Sequence, residues 1–262
     1  MGKQTVDLIH GEIRSNLLRF ALPLFLGQLF QQLYNMADAL VVGNYLGQDA
    51  LAAVTSTGSL IFLVVGFFGG MFSGVGVVIA RSFGAQDGPM TRRAVGTAVS
   101  FALIAGGIMT LLGTVGCAPL LRLMGTPEEV LPLAVSYMRT YFFGAVFVAL
   151  YNSASGIFQA VSDSRRPLSY LVISSITNIV MDIVFVGFCK MGVAGAALAT
   201  VIAQALSAAL AFFRLSRIDG LHRVTLRGIC IDRPLLREML RIGLPSGVQN
   251  SVIAFANVIV QS

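Results

Sequence analysis

Residues 20–43 read Phe-Ala-Leu-Pro-Leu-Phe-Leu-Gly-Gln-Leu-Phe-Gln-Gln-Leu-Tyr-Asn-Met-Ala-Asp-Ala-Leu-Val-Val-Gly. The run exceeds the roughly 20 apolar residues that a helix needs to cross a bilayer. Yet it carries Gln28, Gln31, Gln32, Asn35 and an acid, Asp38. Six further stretches of similar length follow, at 52–80, 94–116, 137–160, 168–188, 192–213 and 239–262. None alternates as a barrel strand would, and in lipid only helices and closed barrels satisfy their own backbone. The spacing therefore predicts seven membrane helices.

Composition agrees. Of 262 residues, 56% are hydrophobic and 11% charged, with a mean hydropathy of +0.82. A soluble domain carries about a quarter charged residues. The apolar content excludes disorder, and three cysteines without CxxC spacing exclude a disulfide scaffold. His10 and His222 lie outside the apolar runs, so no histidine metal site is expected. The first fourteen residues hold Lys3, Asp7, Glu12 and Arg14 and lead into a run too long for a signal core, so no cleavable leader is expected.

The net charge of +6 does not indicate nucleic acid, because the basic residues sit in short loops between apolar runs. Only Arg122, Arg139 and Lys190, of 18 lysines and arginines, fall opposite the rest. The positive-inside rule then puts the N-terminus in the cytoplasm of a multi-pass plasma-membrane (in bacterial terms, inner-membrane) protein.

The chain repeats itself. Leu18-Arg19-Phe20-Ala21-Leu22-Pro23 returns as Leu240-Arg241-Ile242-Gly243-Leu244-Pro245, and Gln28 and Asn35 fall opposite Asn250 and Asn257. A seventh helix resembling the first implies a parallel repeat, a transporter architecture. The expected fold is an all-α polytopic membrane protein. A six-helix bundle (1–213) is followed by a basic cytoplasmic linker (214–238) and the first helix of a second, parallel-repeat bundle (239–262). Small residues every fourth position, at Gly66, Gly70 and Gly74 and at Gly195, Ala199 and Ala203, suit close helix packing.

Two acids lie inside the apolar runs, Asp38 and Asp182. Insertion scales charge about 2.5–3.5 kcal/mol for an aspartate at mid-membrane, so such acids are functional candidates. At 1.5 Å per residue, Asp38 sits about 9 Å beyond the centre of its helix and Asp182 about 6 Å beyond its own. Thr200 lies in the same outer half. Asn178 and Asp182, four apart, share a face. Gln28, Gln31, Gln32, Asn35 and Asp38 recur at three- and four-residue steps and read as one stripe facing a cavity, with Gln28, Gln31 and Asn35 as substrate-cavity candidates. Two carboxylates with amide and hydroxyl oxygens suit a monovalent cation and suit a proton equally well. Pro23 either permits a bend of the first helix or rests harmlessly in its first turn.

These motifs resemble the multidrug and toxin extrusion (MATE) transporters, prokaryotic branch. The resemblance rests on the proline-to-aspartate span and Asp38-Ala-Leu-Val-Val-Gly-Asn-Tyr-Leu-Gly, followed by Ala50-Leu-Ala-Ala-Val. It also rests on Ile79-Ala-Arg-Ser-Phe-Gly-Ala-Gln and Gly192-Val-Ala-Gly-Ala-Ala-Leu-Ala-Thr. The resemblance implies two six-helix bundles and export of amphipathic or cationic compounds in exchange for Na⁺ or H⁺. It implies a cation site at Asp38, Asn178, Asp182 and Thr200, a Na⁺ candidate, with Pro23 as the bend proline. Some branches place an acid on the seventh helix; here only Glu238 stands at its start. No cofactor beyond the coupling ion, no nucleic acid and no enzymatic activity are expected. The partners would be the small-molecule substrate and membrane lipids, with the full-length protein monomeric.

Two other functions compete. A flippase for lipid-linked substrates would favour mid-membrane basic residues, and none is present. An intramembrane aspartyl protease also needs two membrane aspartates, but the Gly-x-Gly-Asp motif is missing from both.

Overall fold

The computed structural model describes residues 13–218, 220–225 and 228–261, without the side chains of 13, 14, 255 and 257–261. Lys3, Asp7, His10, Glu12 and Arg227, and the side chains of Arg14 and Asn257, lie outside what it describes. Among the described residues every regular element is helical. In order they are α1 (Ile13–Leu46), α2 (Gln48–Gly84), α3 (Gly88–Leu123), α4 (Leu131–Phe143), α5 (Ala145–Ala160), α6 (Arg165–Asp182), a π-helical segment (Ile183–Phe188), α7 (Gly192–Arg217) and α8 (Arg233–Gln261).

Four of these spans are long and apolar enough to cross a membrane: α2, α3, α6 with its π segment, and α7. The pair α4 and α5, bent by 48°, makes a fifth. The helices α1 and α8 have the length, at 34 and 29 residues, but their polar positions dilute them.

Helix boundaries follow local chemistry. Gly47, at φ 87°, makes the one-residue turn between α1 and α2 in a conformation that a side chain would resist. Asp87 caps α3 by accepting a hydrogen bond from the Met90 N–H at 3.0 Å, with proline in the first turn.

Three expectations need correction. The fourth span is not one helix over 137–160. It starts at Leu131 and breaks at Gly144, where a Cβ would collide with the Val201 side chain of α7. The fifth span changes from α to π winding directly after Asp182. Pro23 is not in a first turn, because α1 begins ten residues earlier; it is buried in the interior of a continuous helix.

The main core joins α2, α3, α4 and α5 around Phe72, Val75, Ile79, Met109, Phe142 and Phe158. Small residues let helices touch. A Cβ at Gly74 would strike the Met239 carbonyl and the Gly243 backbone, and one at Gly70 the Gly247 backbone. The helix met by this glycine row is thus α8, which packs on α2 more extensively than any other pair does. A smaller cluster, including Val42, Val54, Val186 and Ala197, packs where α1, α2, α4, the π segment and α7 approach each other.

The connection between α7 and α8 runs from 218 to 232, shorter than the 214–238 linker, because both helices extend into it. It is fastened to the bundle. The Val224 N–H donates to the Leu215 carbonyl, Ser100 Oγ donates to the Cys230 carbonyl at 3.2 Å, and the Asp232 N–H donates to Thr97 Oγ1 at 3.1 Å. His222 lies edge-on to Phe83 with Nδ1 buried and unbonded. Desolvation, then the Arg166 charge, holds its pKa below the ordinary 6.5. The folded state thus disfavours the charged imidazole, and His222 contributes stability that is full above about pH 6.5 and is lost as pH falls through its depressed value. Thermal unfolding from about pH 7.5 to about pH 5 should show this loss, and His222→Gln should flatten it. Equal slopes in the two proteins would refute the assignment.

Candidate functional site

The two membrane acids face each other. Asp38 comes from α1, and Asn178 and Asp182 come from one face of α6, one turn apart. Thr200 comes from α7, the helix packed against α6. All four are buried: Asp38 is 7% exposed, Asn178 and Asp182 0%, and Thr200 3%. Asn178 Nδ2 donates to Thr200 Oγ1 at 3.3 Å, and Thr200 Oγ1 donates to the Ala196 carbonyl at 3.2 Å. The residues predicted to act together are therefore brought together.

The geometry leaves an excess of acceptors. Asp38 Oδ1, Asn178 Oδ1 and both Asp182 carboxylate oxygens are buried without a hydrogen-bond donor. Among the described residues, neither acid has a salt-bridge partner. Buried polar atoms are ordinarily satisfied, and orphaned charged ones are costly. Four such oxygens in one place are what a small cation or a proton would complete.

Sequence reasoning missed two tyrosines. Tyr34, one turn before Asp38, donates its hydroxyl to Thr200 Oγ1 at 3.3 Å. Tyr137 of α4 is 5% exposed and lies beside Asp38. The first had a signal, the four-residue step to Asp38; the second depends on how α4 packs. The π segment after Asp182 was also missed. Cys189 N–H bonds back five residues to the Val184 carbonyl at 2.8 Å. Such windings recur beside functional residues.

The stripe on α1 divides. Asp38 turns into the bundle, whereas Gln28, Gln32 and Asn35 are exposed and Gln31 is half-buried. Asn35 Nδ2 donates to Gln32 Oε1 at 3.3 Å rather than reaching toward the acids. At 100° per residue, Asp38 lies about 80° around the helix from Gln28 and about 60° from Asn35. One helix thus offers an amide face outward and a carboxylate inward, which corrects the expectation of a single stripe.

No cysteine enters this site. All three are free; Cys117 is buried, and Cys189 and Cys230 are exposed.

The MatE family profile matches residues 23–184, which include Asp38, Asn178 and Asp182. The probable multidrug resistance protein YoeA of Bacillus subtilis (strain 168) is 31% identical over 250 residues, covering 93% of this chain and 54% of that protein. The fold is similar to a multidrug resistance MATE family transporter of the MOP superfamily in its outward-facing conformation. That match has a TM-score of 0.87 at 29% identity and covers 95% of this chain and 55% of that one. An inward-facing conformation matches with a TM-score of 0.80 at 30% identity, over 86% of this chain and 51% of that one. The chain thus spans about half the length of the relatives it matches. Since the profile covers more than half of this chain and these structures share its fold, the chain belongs to the MatE family of transporters.

Proposed function

We propose that the chain forms the first half of a cation-coupled exporter of small amphipathic or cationic compounds, driven by Na⁺ or H⁺ entry. The observation that carries this reading is the set of four orphaned buried oxygens at Asp38, Asn178 and Asp182, which lie together with no basic partner among the described residues. Charge balance there calls for a cation. Na⁺ would be held by the carboxylates, the Asn178 carbonyl and the Thr200 hydroxyl; in proton coupling, the carboxylates would take the proton. Either ligand removes a repulsion between acids on α1 and α6 and so draws those helices together. Ion release lets them separate, and that difference is the energy available to bias the bundle between two arrangements. The exposed amides Gln28 and Asn35, with Gln31 beside them, supply neutral hydrogen bonds on the outward face of α1, suited to an amphipathic substrate. Its N-terminus is assigned to the cytoplasm, and the full-length protein is taken to be a monomer.

The test is cation-dependent stability of the purified full-length protein. Na⁺ titrated against K⁺ at two pH values should raise the unfolding temperature for Na⁺ alone if sodium is the ligand. If protons are the ligand, neither salt should act and acidification should stabilise. Indifference to all of these would reject the site.

A further inference from the structure

We propose that a cavity at the basic end of the bundle binds a phosphate oxyanion, carried by an anionic lipid headgroup or by free phosphate. The proposal stands apart from the exporter reading. The cavity lies between the start of α3 and the connection to α8 and measures about 290 Å³. Small-molecule sites begin near about 300 Å³. Arg92 of α3 lines it, with Arg223 and Thr225 of the connection, and Val95 and Val224 add apolar surface.

The connection is fixed on both sides of this cavity. At its start, the Arg223 N–H donates to the Gly220 carbonyl at 3.2 Å and the Val224 N–H to the Leu215 carbonyl at 3.1 Å. Arg223 Nε donates to the Ser216 carbonyl at 2.9 Å, which ties the guanidinium to the end of α7. The Gly228 carbonyl then rests against Gly96, where a Cβ would strike it. At the far end the Asp232 N–H donates to Thr97 Oγ1. Beyond it Leu235 and Met239 of α8 are 5% and 1% exposed, in the core that holds Val75, Val78 and Ile79. The cavity is therefore walled by anchored chain.

Charge favours an anion there. Every described acid on this side of the bundle is already engaged. Asp87 caps α3, Asp163 pairs with Arg166, Asp232 with Arg93 and Glu238 with Arg81. Arg92 is exposed and has no ion pair or hydrogen bond among the described residues. Asp219 and Arg227, which neighbour the lining in sequence, cancel in formal charge. Guanidinium groups bind phosphate through paired N–H bonds. A tetrahedral phosphate has oxygens enough for two such groups and the Thr225 hydroxyl, whereas a carboxylate has two. The position also fits. The apolar run of α3 begins at 94 and that of α7 ends at 213, so the cavity lies at the edge of the apolar layer, where lipid phosphates sit. The positive-inside reading makes this the cytoplasmic leaflet, whose anionic lipids attract basic segments.

The test uses the full-length protein, purified in detergent and freed of lipid. One arm adds inorganic phosphate against chloride at equal ionic strength. The other adds phosphatidylglycerol against phosphatidylcholine. Apparent affinity is read from the rise in unfolding temperature. At least one probe should stabilise beyond its reference. Phosphatidylglycerol alone would identify a lipid headgroup, phosphate alone a free anion, and both a site open to either source. Arg92→Gln and Arg223→Gln should each weaken the stabilising probe at least ~10-fold, the loss of a charge-assisted bond. Arg92 has no described partner to forfeit, so its variant should fold as the parent does. Arg237→Gln removes the same charge from an exposed position on α8 outside the cavity, and should weaken binding less than about twofold because such charges are screened. Stabilisation by neither probe overturns the site. So does an unchanged affinity in Arg92→Gln, or an equal loss in Arg237→Gln, which would mean a diffuse basic face.

Discussion

Replacing Asp182 by asparagine in the full-length protein should abolish coupling while leaving the fold intact. The site would lose the charge that recruits the ion, but asparagine preserves shape and Asp182 has no donor to lose. A ligand at 100 times its dissociation constant stabilises the folded state by about 2.7 kcal/mol, and the variant should gain none of it. Without the ion, the variant should be at least as stable as the parent, because a buried membrane acid costs about 2.5–3.5 kcal/mol. Efflux should fall at least ~10-fold, within the usual range of coupling between sites. Asp38→Asn should behave alike, and the pair together should add little, because both act on one ion. Unchanged cation response and efflux in both variants would eliminate the mechanism.

The largest loss of stability should come from Arg166→Ala, far from that site. Asp163 is wholly buried at the turn before α6, with its carboxylate 2.7 Å from Arg166 Nη1 and accepting the Arg166 backbone N–H at 3.2 Å. Burial raises the Asp163 pKa, and the bond and charge from Arg166 oppose the rise. Removing the guanidinium leaves an unpaired buried charge, a loss of about 3–5 kcal/mol. The sign with pH is fixed. A carboxyl whose folded pKa lies above its unfolded value favours the fold at low pH and loses that contribution as pH rises through the folded value. The deficit of Arg166→Ala should therefore be greatest near neutrality and shrink on acidification. Adding Asp163→Asn should recover much of it. A deficit independent of pH would mean that Arg166 acts through its contact with Phe158 instead.

Much of this architecture is legible in the amino-acid sequence. Long apolar runs fix helices because lipid permits little else, so helix covers each expected run, although the fourth begins earlier and is broken at Gly144. Asp38, Asn178, Asp182 and Thr200 stand out because polar groups in such runs are expensive. Features set by tertiary contact are not legible. The break at Gly144 depends on Val201 of α7, and Tyr137 reaches Asp38 only because α4 packs there. The stripe on α1 misleads because steps of three and four residues look like one face. Over ten residues they drift about 80°. The connection after α7 reads as a basic loop, since hydrogen bonds such as those from Ser100 and to Thr97 carry no periodic signature.

The packing of Leu235 and Met239 has a consequence for how the molecule can be divided. The resemblance of Leu240–Pro245 to Leu18–Pro23 would put a duplication boundary between α7 and α8, but the packing of α8 on α2 does not divide there. A fragment cut in the connection would present an unfilled groove along α2, lined by Val75, Val78 and Ile79. For split-protein complementation, the workable junction is downstream of α8, where the amino-terminal piece retains its own closing helix.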